Sequence, residues 1–290
     1  MRKLRIIVCL MFVASCVIFG IYTVKIRMVE DHTPPVITCE EDTISVSVEA
    51  EESELLQGVT AKDNRDGDIT KSIRISSKSH FTEKGKCTVE YIVFDKANQA
   101  GTAQRTLIYT DYTSPKIHLT KPLKYTVSEL KSADLTADMT AEDCLDGDLT
   151  NQIRTSLGDS FYDYEPGTYE ITAQVSNSYG DVCAVPLEVT VTDNTDRTES
   201  SKSYPMLSEY IAYTKVGSEI DLGSYLKGIM RGGAEYTFAE DGAYIEVSPD
   251  QIQIQSNVDY SKAGTYTVNY SYTPEGGVEA VTKLAVVVEE

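Results

Sequence analysis

Three aspartates fall within six residues in Ala61-Lys-Asp-Asn-Arg-Asp-Gly-Asp-Ile-Thr70, namely Asp63, Asp66 and Asp68, and the pattern returns as Asp143, Asp146 and Asp148 in Ala141-Glu-Asp-Cys-Leu-Asp-Gly-Asp-Leu-Thr150. Carboxylates gathered around a glycine turn offer the hard oxygen ligands that calcium takes. The spacing is not that of an EF-hand, which needs ligands at alternate positions and a distal glutamate. The same aspartates also suit a simpler role, capping turns by accepting backbone amides. No other set of residues has the form of a reaction centre. His32, His80 and His118 are scattered, and no nucleophile elbow, phosphate loop or Cys/His constellation occurs. A glycosidase groove needs aromatic platforms beside its carboxylates, and the chain has no tryptophan. An enzyme is not expected. A Lys-Asn isopeptide crosslink leaves no linear signature and stays open.

The elements that must hold these loops repeat. The two acidic loops are offset by 143 − 63 = 80 residues, and Pro35 returns as Pro115 with the same offset. A second repeat occurs three times, at Gly85–Asp111, Gly167–Asp193 and Gly264–Glu290. Each copy places apolar residues at alternate positions, as in Tyr169, Ile171, Ala173 and Val175, on either side of a run of turn formers. Each is predicted to be a β-hairpin whose apolar face needs a second sheet. The expected fold is therefore all-β: an N-terminal transmembrane helix followed by three tandem β-sandwich modules. Residues 1–32 form a cytoplasmic stub, membrane anchor and stem, 33–111 the first module and 112–193 the second. Residues 194–205, apolar-free over Asn194–Ser203, read as a flexible linker, and 206–290 form a divergent third module without the acidic loop. In that last module strands are expected at Tyr236–Phe238, Ala243–Val247 and Ile252–Ile254.

The run Pro34-Pro35-Val-Ile-Thr38, then Ala-x-Asp-x-x-Asp-Gly-Asp-[Ile/Leu]-Thr, then Gly-Thr-Tyr leading into an alternating strand, resembles the bacterial Ig-like repeats of surface proteins and pesticidal crystal proteins, and the related HYR modules. The resemblance covers residues 33–193 with both halves of the motif and 206–290 with the second half. It implies Ig-like sandwiches outside the cell and says little about chemistry, because one fold hosts many functions. In an Ig-like order the acidic loop lies beside the preceding linker, so Asp31 and Asp111 become further candidates for a calcium that stiffens the junction. Tyr169 and Tyr266, each opening a penultimate strand, resemble the tyrosine corner that ties a crossover loop to its sheet. The same order lets Cys39 face Cys87 and Cys144 face Cys183, so one bridge per module is expected. Cys87 stands where the corner tyrosine would be, and a bridge there would replace the phenolic tie. Free buried thiols are the other reading. Without tryptophan, the core of an antibody domain is excluded.

Location follows from the N-terminus. Residues 6–24 are uncharged and apolar between Arg2, Lys3 and Arg5 on one side and Lys25 and Arg27 on the other, long enough to span a bilayer with the N-terminus inside. A cleaved signal and a lipoprotein modified at Cys16, within Val13-Ala-Ser-Cys16, are the rival readings. All three place the modules outside the cytoplasm, in a single-pass arrangement at the cell membrane if the helix is kept. A formal charge of −19 argues against nucleic acid or anionic lipid as a partner and leaves room for cations. The function expected is a bacterial surface protein that projects a module for adhesion to a cell-wall, glycan or protein ligand. A structural stalk without a ligand and an accessory subunit of an envelope enzyme are the alternatives.

Overall fold

The computed structural model describes residues 2–29, 31–157, 165–193, 195, 198–238 and 247–290. Helix α1 (Arg2–Val29) opens the chain. Its segment Arg5–Lys25 is long and apolar enough to cross a membrane, and none of that segment is buried. Leu10, Phe12 and Phe19 are about two-thirds exposed, at 65%, 70% and 67%. Such a continuous apolar surface requires an apolar surround. Its length and composition are those of a membrane anchor or a signal sequence.

The first module is a sandwich of two sheets within the compact unit Met1–Tyr112. Its strands are β1 (Val36–Cys39), β2 (Thr43–Val46), β3 (Val59–Asp63), β4 (Gly67–Asp68), β5 (Arg74–Lys78), β6 (Lys86–Phe94) and β7 (Ala100–Tyr109). One sheet has the order β1-β3-β4, the other β2-β7-β6-β5, and β2 runs parallel to β7. The β6/β7 pair is the expected hairpin, in register from Lys86 against Ile108 to Phe94 against Ala100. Alternation decides which residues point inward: Cys87, Val89, Tyr91 and Val93 are buried, and so are Val59 and Ala61 across from them. The inward series continue past the apolar residues. Asp63 follows Val59 and Ala61, and Asp95 follows Val93, so a carboxylate caps each inner face. The short helix α2 (Glu52–Leu55) bridges the sheets, with Glu54 folded back onto the Glu51 amide and Leu55 buried.

The second module repeats this plan with β8 (Lys116–Leu119), β9 (Lys124–Thr126), α3 (Val127–Leu130), β10 (Met139–Asp143), β11 (Gly147–Asp148), β12 (Arg154–Leu157), β13 (Gly167–Ser176) and β14 (Val182–Thr192). The third contains β15 (Ser203–Leu207), β16 (Ile211–Lys215), β17 (Leu226–Arg231), β18 (Ala234–Thr237), β19 (Gln253–Ser256), β20 (Gly264–Tyr272) and β21 (Ala280–Glu289). In both, a short early strand lies parallel to the last one, β9 beside β14 and β16 beside β21, as β2 lies beside β7. Of the strand expected over Ala243–Val247, residues 243–246 lie outside the described residues.

These two modules are not separate beads. They form one compact unit, Thr113–Glu290. Leu119, Leu123 and Leu187 of the second module belong to the same buried apolar cluster as Leu207, Tyr210 and Ala285 of the third. The linker expected over 194–205 is accordingly shorter than its composition suggested: Glu199–Ser201 is a 3-10 turn and β15 begins at Ser203. The physical reason is local. Glu199 accepts from Lys124, Lys202 and the Tyr204 hydroxyl, and these contacts fix the polar run against β9.

Candidate metal centre

Asp63 closes β3 and opens the three-residue turn to β4, where Gly67 has φ 72°, a left-handed conformation that glycine adopts without strain. Its Oδ1 accepts the Arg65 and Asp66 amides at 2.8 and 2.7 Å. These amides, that of Asp66 first, hold the carboxyl below the usual aspartate range. The other oxygen, Oδ2, is buried without a hydrogen-bond partner. Asp63, Asp31 and Asp95 converge, and one carboxylate oxygen from each lies within 4.8 Å of the others. All three are about nine-tenths buried or more: Asp63 is 8% and Asp95 6% exposed, and the Asp31 side chain 10%. Gln99 clamps the group, giving its amide to Asp95 Oδ1 at 2.7 Å and its side-chain amide to Asp95 Oδ2 and to the Asp31 carbonyl at 3.2 and 2.9 Å. Arg65 sits on the open side with Nε 3.6 Å from Asp31 Oδ2.

The second module occupies the same place with different chemistry. Asp143 Oδ2 accepts the Leu145 and Asp146 amides at 2.9 and 3.0 Å, as Asp63 does for its own turn. Asn177 takes the position of Asp95, ten residues after Gly167 as Asp95 is ten after Gly85. Its Oδ1 accepts the Tyr179 and Asp181 amides, and its Nδ2 donates to Asp143 Oδ1 at 3.2 Å. The amide removes the need for any other partner.

The rest of the expected calcium set does not join the cluster. Asp66 is bound by Lys96, whose Nζ and backbone amide lie at 2.8 and 2.7 Å, and the lysine contact holds its carboxyl down. Asp146 accepts from Ser178 in the equivalent way. Asp68 and Asp148 each cap the amide two residues on, at Thr70 and Thr150. Asp111 accepts the Ser47 hydroxyl and the Val48 amide at 2.7 and 2.8 Å. These six serve turns and crossovers, and of the eight expected aspartates Asp63 and Asp31 are the two brought together with another carboxylate, that of Asp95. Asp95, absent from the expected set, could have been found by aligning the hairpin repeats, which set it opposite Asn177.

Residues 40–108 match the bacterial surface protein, Ig-like domain family. No curated protein matches the chain. Among solved structures, similarity extends to CBM51-2 in complex with GlcNAc and INT domains from Clostridium perfringens ZmpB, at 18% identity and TM-score 0.22 over 52% of this chain and 26% of that one. It extends also to Drosophila N-cadherin EC1-4, at 14% identity and TM-score 0.25 over 90% of this chain and 76% of that one. The chain spans 26% and 31% of the first two ZmpB structures it matches.

The cysteines differ from expectation. All six are free thiols. Cys39 ends β1 in one sheet and Cys87 lies near the start of β6 in the other. In the second module Cys144 is exposed and donates to the Thr113 carbonyl at 3.2 Å, whereas Cys183 lies 3.6 Å from the Tyr213 hydroxyl. The two thiols have different neighbours and do not meet. Tyr169 and Tyr266 donate to the carbonyls of Glu165 and Lys262 at 2.8 and 3.0 Å, each reaching back four residues onto its crossover loop. In the first module that loop is held instead by the Glu83–Lys86 turn and by Phe81, whose ring packs edge-on against Tyr112 at 4.8 Å.

Proposed function

We propose that this protein is a bacterial envelope protein held in the cell membrane by α1, N-terminus inside, which displays its Ig-like modules outside as a binding surface for a cell-wall, glycan or protein ligand. The observation that carries the reading is the succession of an uninterrupted exposed apolar helix, a few residues of stem, and a module of a surface-protein family. The charge of −19 supports a solvated exterior position and disfavours anionic lipid or nucleic acid as the ligand. Cys144 provides the test. It is exposed, so a membrane-impermeant maleimide added to intact cells labels it if the modules are outside. Labelling only after permeabilisation refutes the topology, and a product lacking the helix in the medium identifies a cleaved signal.

The shared core of the second and third modules favours a second reading, a structural stalk without a dedicated ligand. A glycan and protein array probed with the full chain in detergent separates the two. Saturable binding supports display, and its absence at high concentration supports the stalk.

A further inference from the structure

The geometry points to a calcium site in the first module: we propose that Asp31, Asp63 and Asp95 together bind one calcium ion that fastens the stem to the top of the sandwich. Calcium-to-oxygen distances are about 2.3–2.6 Å. Two ligands on opposite sides of one ion are therefore at most about 5 Å apart, and the three carboxylate oxygens lie within 4.8 Å of one another. The cluster alone would not suffice. The independent observation is Asp63 Oδ2, an ionised oxygen on a side chain more than nine-tenths buried, for which the protein supplies no donor. A buried anion of this kind destabilises a fold unless something positive meets it. Arg65 offers one charge at the rim, 3.6 Å from Asp31, against three carboxylates.

The chain contains its own control. At the equivalent position of the second module the carboxylate of Asp95 is replaced by the amide of Asn177, which donates directly to Asp143. Arg65 is there replaced by Leu145. One module satisfies the inward aspartate with an N–H group. The other sets an oxygen against it, an arrangement that needs a cation between the two. Calcium fits better than magnesium, because the ligands come from three separate segments and calcium tolerates irregular coordination, whereas magnesium demands near-ideal octahedral geometry. Asp31 is the ligand that gives the site a consequence. It precedes Thr33-Pro34-Pro35 and is the first residue described after α1, so a bound ion would restrain the stem where it enters the module.

The experiment is calorimetric titration of calcium chloride into the full chain in detergent micelles at about 0.15 M salt, where exposed charges are screened, with wild type and Asp95→Asn compared. Wild type should take up one calcium per chain with a dissociation constant of about 0.1–1 mM, the range of extracellular modules. Its thermal transition should move upward with calcium and return on chelation. Asp95→Asn copies the second module, so it should fold, melt without calcium at least as high as wild type, and bind calcium at least tenfold more weakly. If wild type takes up no calcium at millimolar concentrations, or if Asp95→Asn binds as wild type does, the proposal is wrong. Magnesium binding as tight as calcium would overturn the assignment of the ion.

Discussion

The Tyr213 hydroxyl is bonded twice to Ile117: it accepts the Ile117 amide at 2.8 Å and donates to the Ile117 carbonyl at 2.9 Å. Ile117 lies in β8, the outer strand of its sheet, whose free backbone edge would otherwise face water. A side chain of the third module thus completes a strand of the second. Burial pushes the phenol far above the tyrosine range, so it remains a neutral donor at every physiological pH.

Tyr213→Phe should therefore leave the outward amide and carbonyl of Ile117 unpaired, at a cost of about 1–3 kcal/mol. Denaturant unfolding of the full chain, followed by circular dichroism, should show the Thr113–Glu290 transition weakened and the Met1–Tyr112 transition unmoved. An unchanged midpoint would mean that the modules are held together by their apolar contact alone.

Glu199 supplies the pH dependence of the same unit. Burial opposes its ionisation, but hydrogen bonds from Lys124, Lys202 and Tyr204 outweigh it and draw the carboxyl down from 4.5 to about 2. A carboxyl whose folded value is depressed stabilises the fold above its unfolded value, and that contribution is lost as the pH falls through the folded one. The midpoint of the Thr113–Glu290 transition should fall between about pH 4.5 and 2. In Glu199→Gln it should already be lower at pH 7 and flatter across that window. A Glu199→Gln profile parallel to wild type would show that other carboxylates govern the acid response.

Arg105 is 5% exposed and donates from Nε to the Tyr91 hydroxyl at 2.6 Å, while that hydroxyl donates to the Leu55 carbonyl at 2.7 Å. Arg105 also donates to the Leu55 carbonyl, so Tyr91→Phe should remove one of the guanidinium's two buried partners and cost about 1.5–3 kcal/mol. A double-mutant cycle with Arg105→Ala should give a coupling of about 0.5–3 kcal/mol. Additive effects would show that the two side chains act only through volume. The second module carries Ala173 and Leu187 at these positions and has no such network.

Much of the scaffold could be read from the chain because its signals are local. Alternation along Tyr169–Val175 fixes which side chains turn inward, and the turn formers between strands fix the hairpin, as the register of β13 against β14 shows. The turn roles of Asp68 and Asp148 are equally local, each spanning two residues. What escaped is assembled across distance. Asp31, Asp63 and Asp95 belong to three different segments, and no spacing rule brings them together. Alternation reports that Asp95 points inward but not what it meets. The joining of the second and third modules escaped for a similar reason: Leu119 and Tyr210 carry the same apolar signature whether they pack within one sandwich or between two. An even number of cysteines and the Ig-like strand order suggested bridges, yet strand order does not fix how closely two facing thiols approach, and all six are free.

Those thiols give the last prediction. If Cys39, Cys87, Cys144 and Cys183 stay reduced, as they are in the structure, no crosslink limits the unfolded chain and reductant has nothing to break. The melting temperature should be the same with and without dithiothreitol. Unfolding the purified chain without reductant should release six titratable thiols, counting Cys9 and Cys16 of α1. Their native reactivity should be ordered. Cys144 is exposed and should react first, whereas burial raises the thiols of Cys87 and Cys183 and shields them, so both should react slowly until the chain opens. Fewer than six thiols, or a transition lowered by reductant, would show that a bridge forms in the envelope after all. The crossover of the first module would then be tied covalently at Cys87, rather than by the Glu83–Lys86 turn and the Phe81–Tyr112 contact.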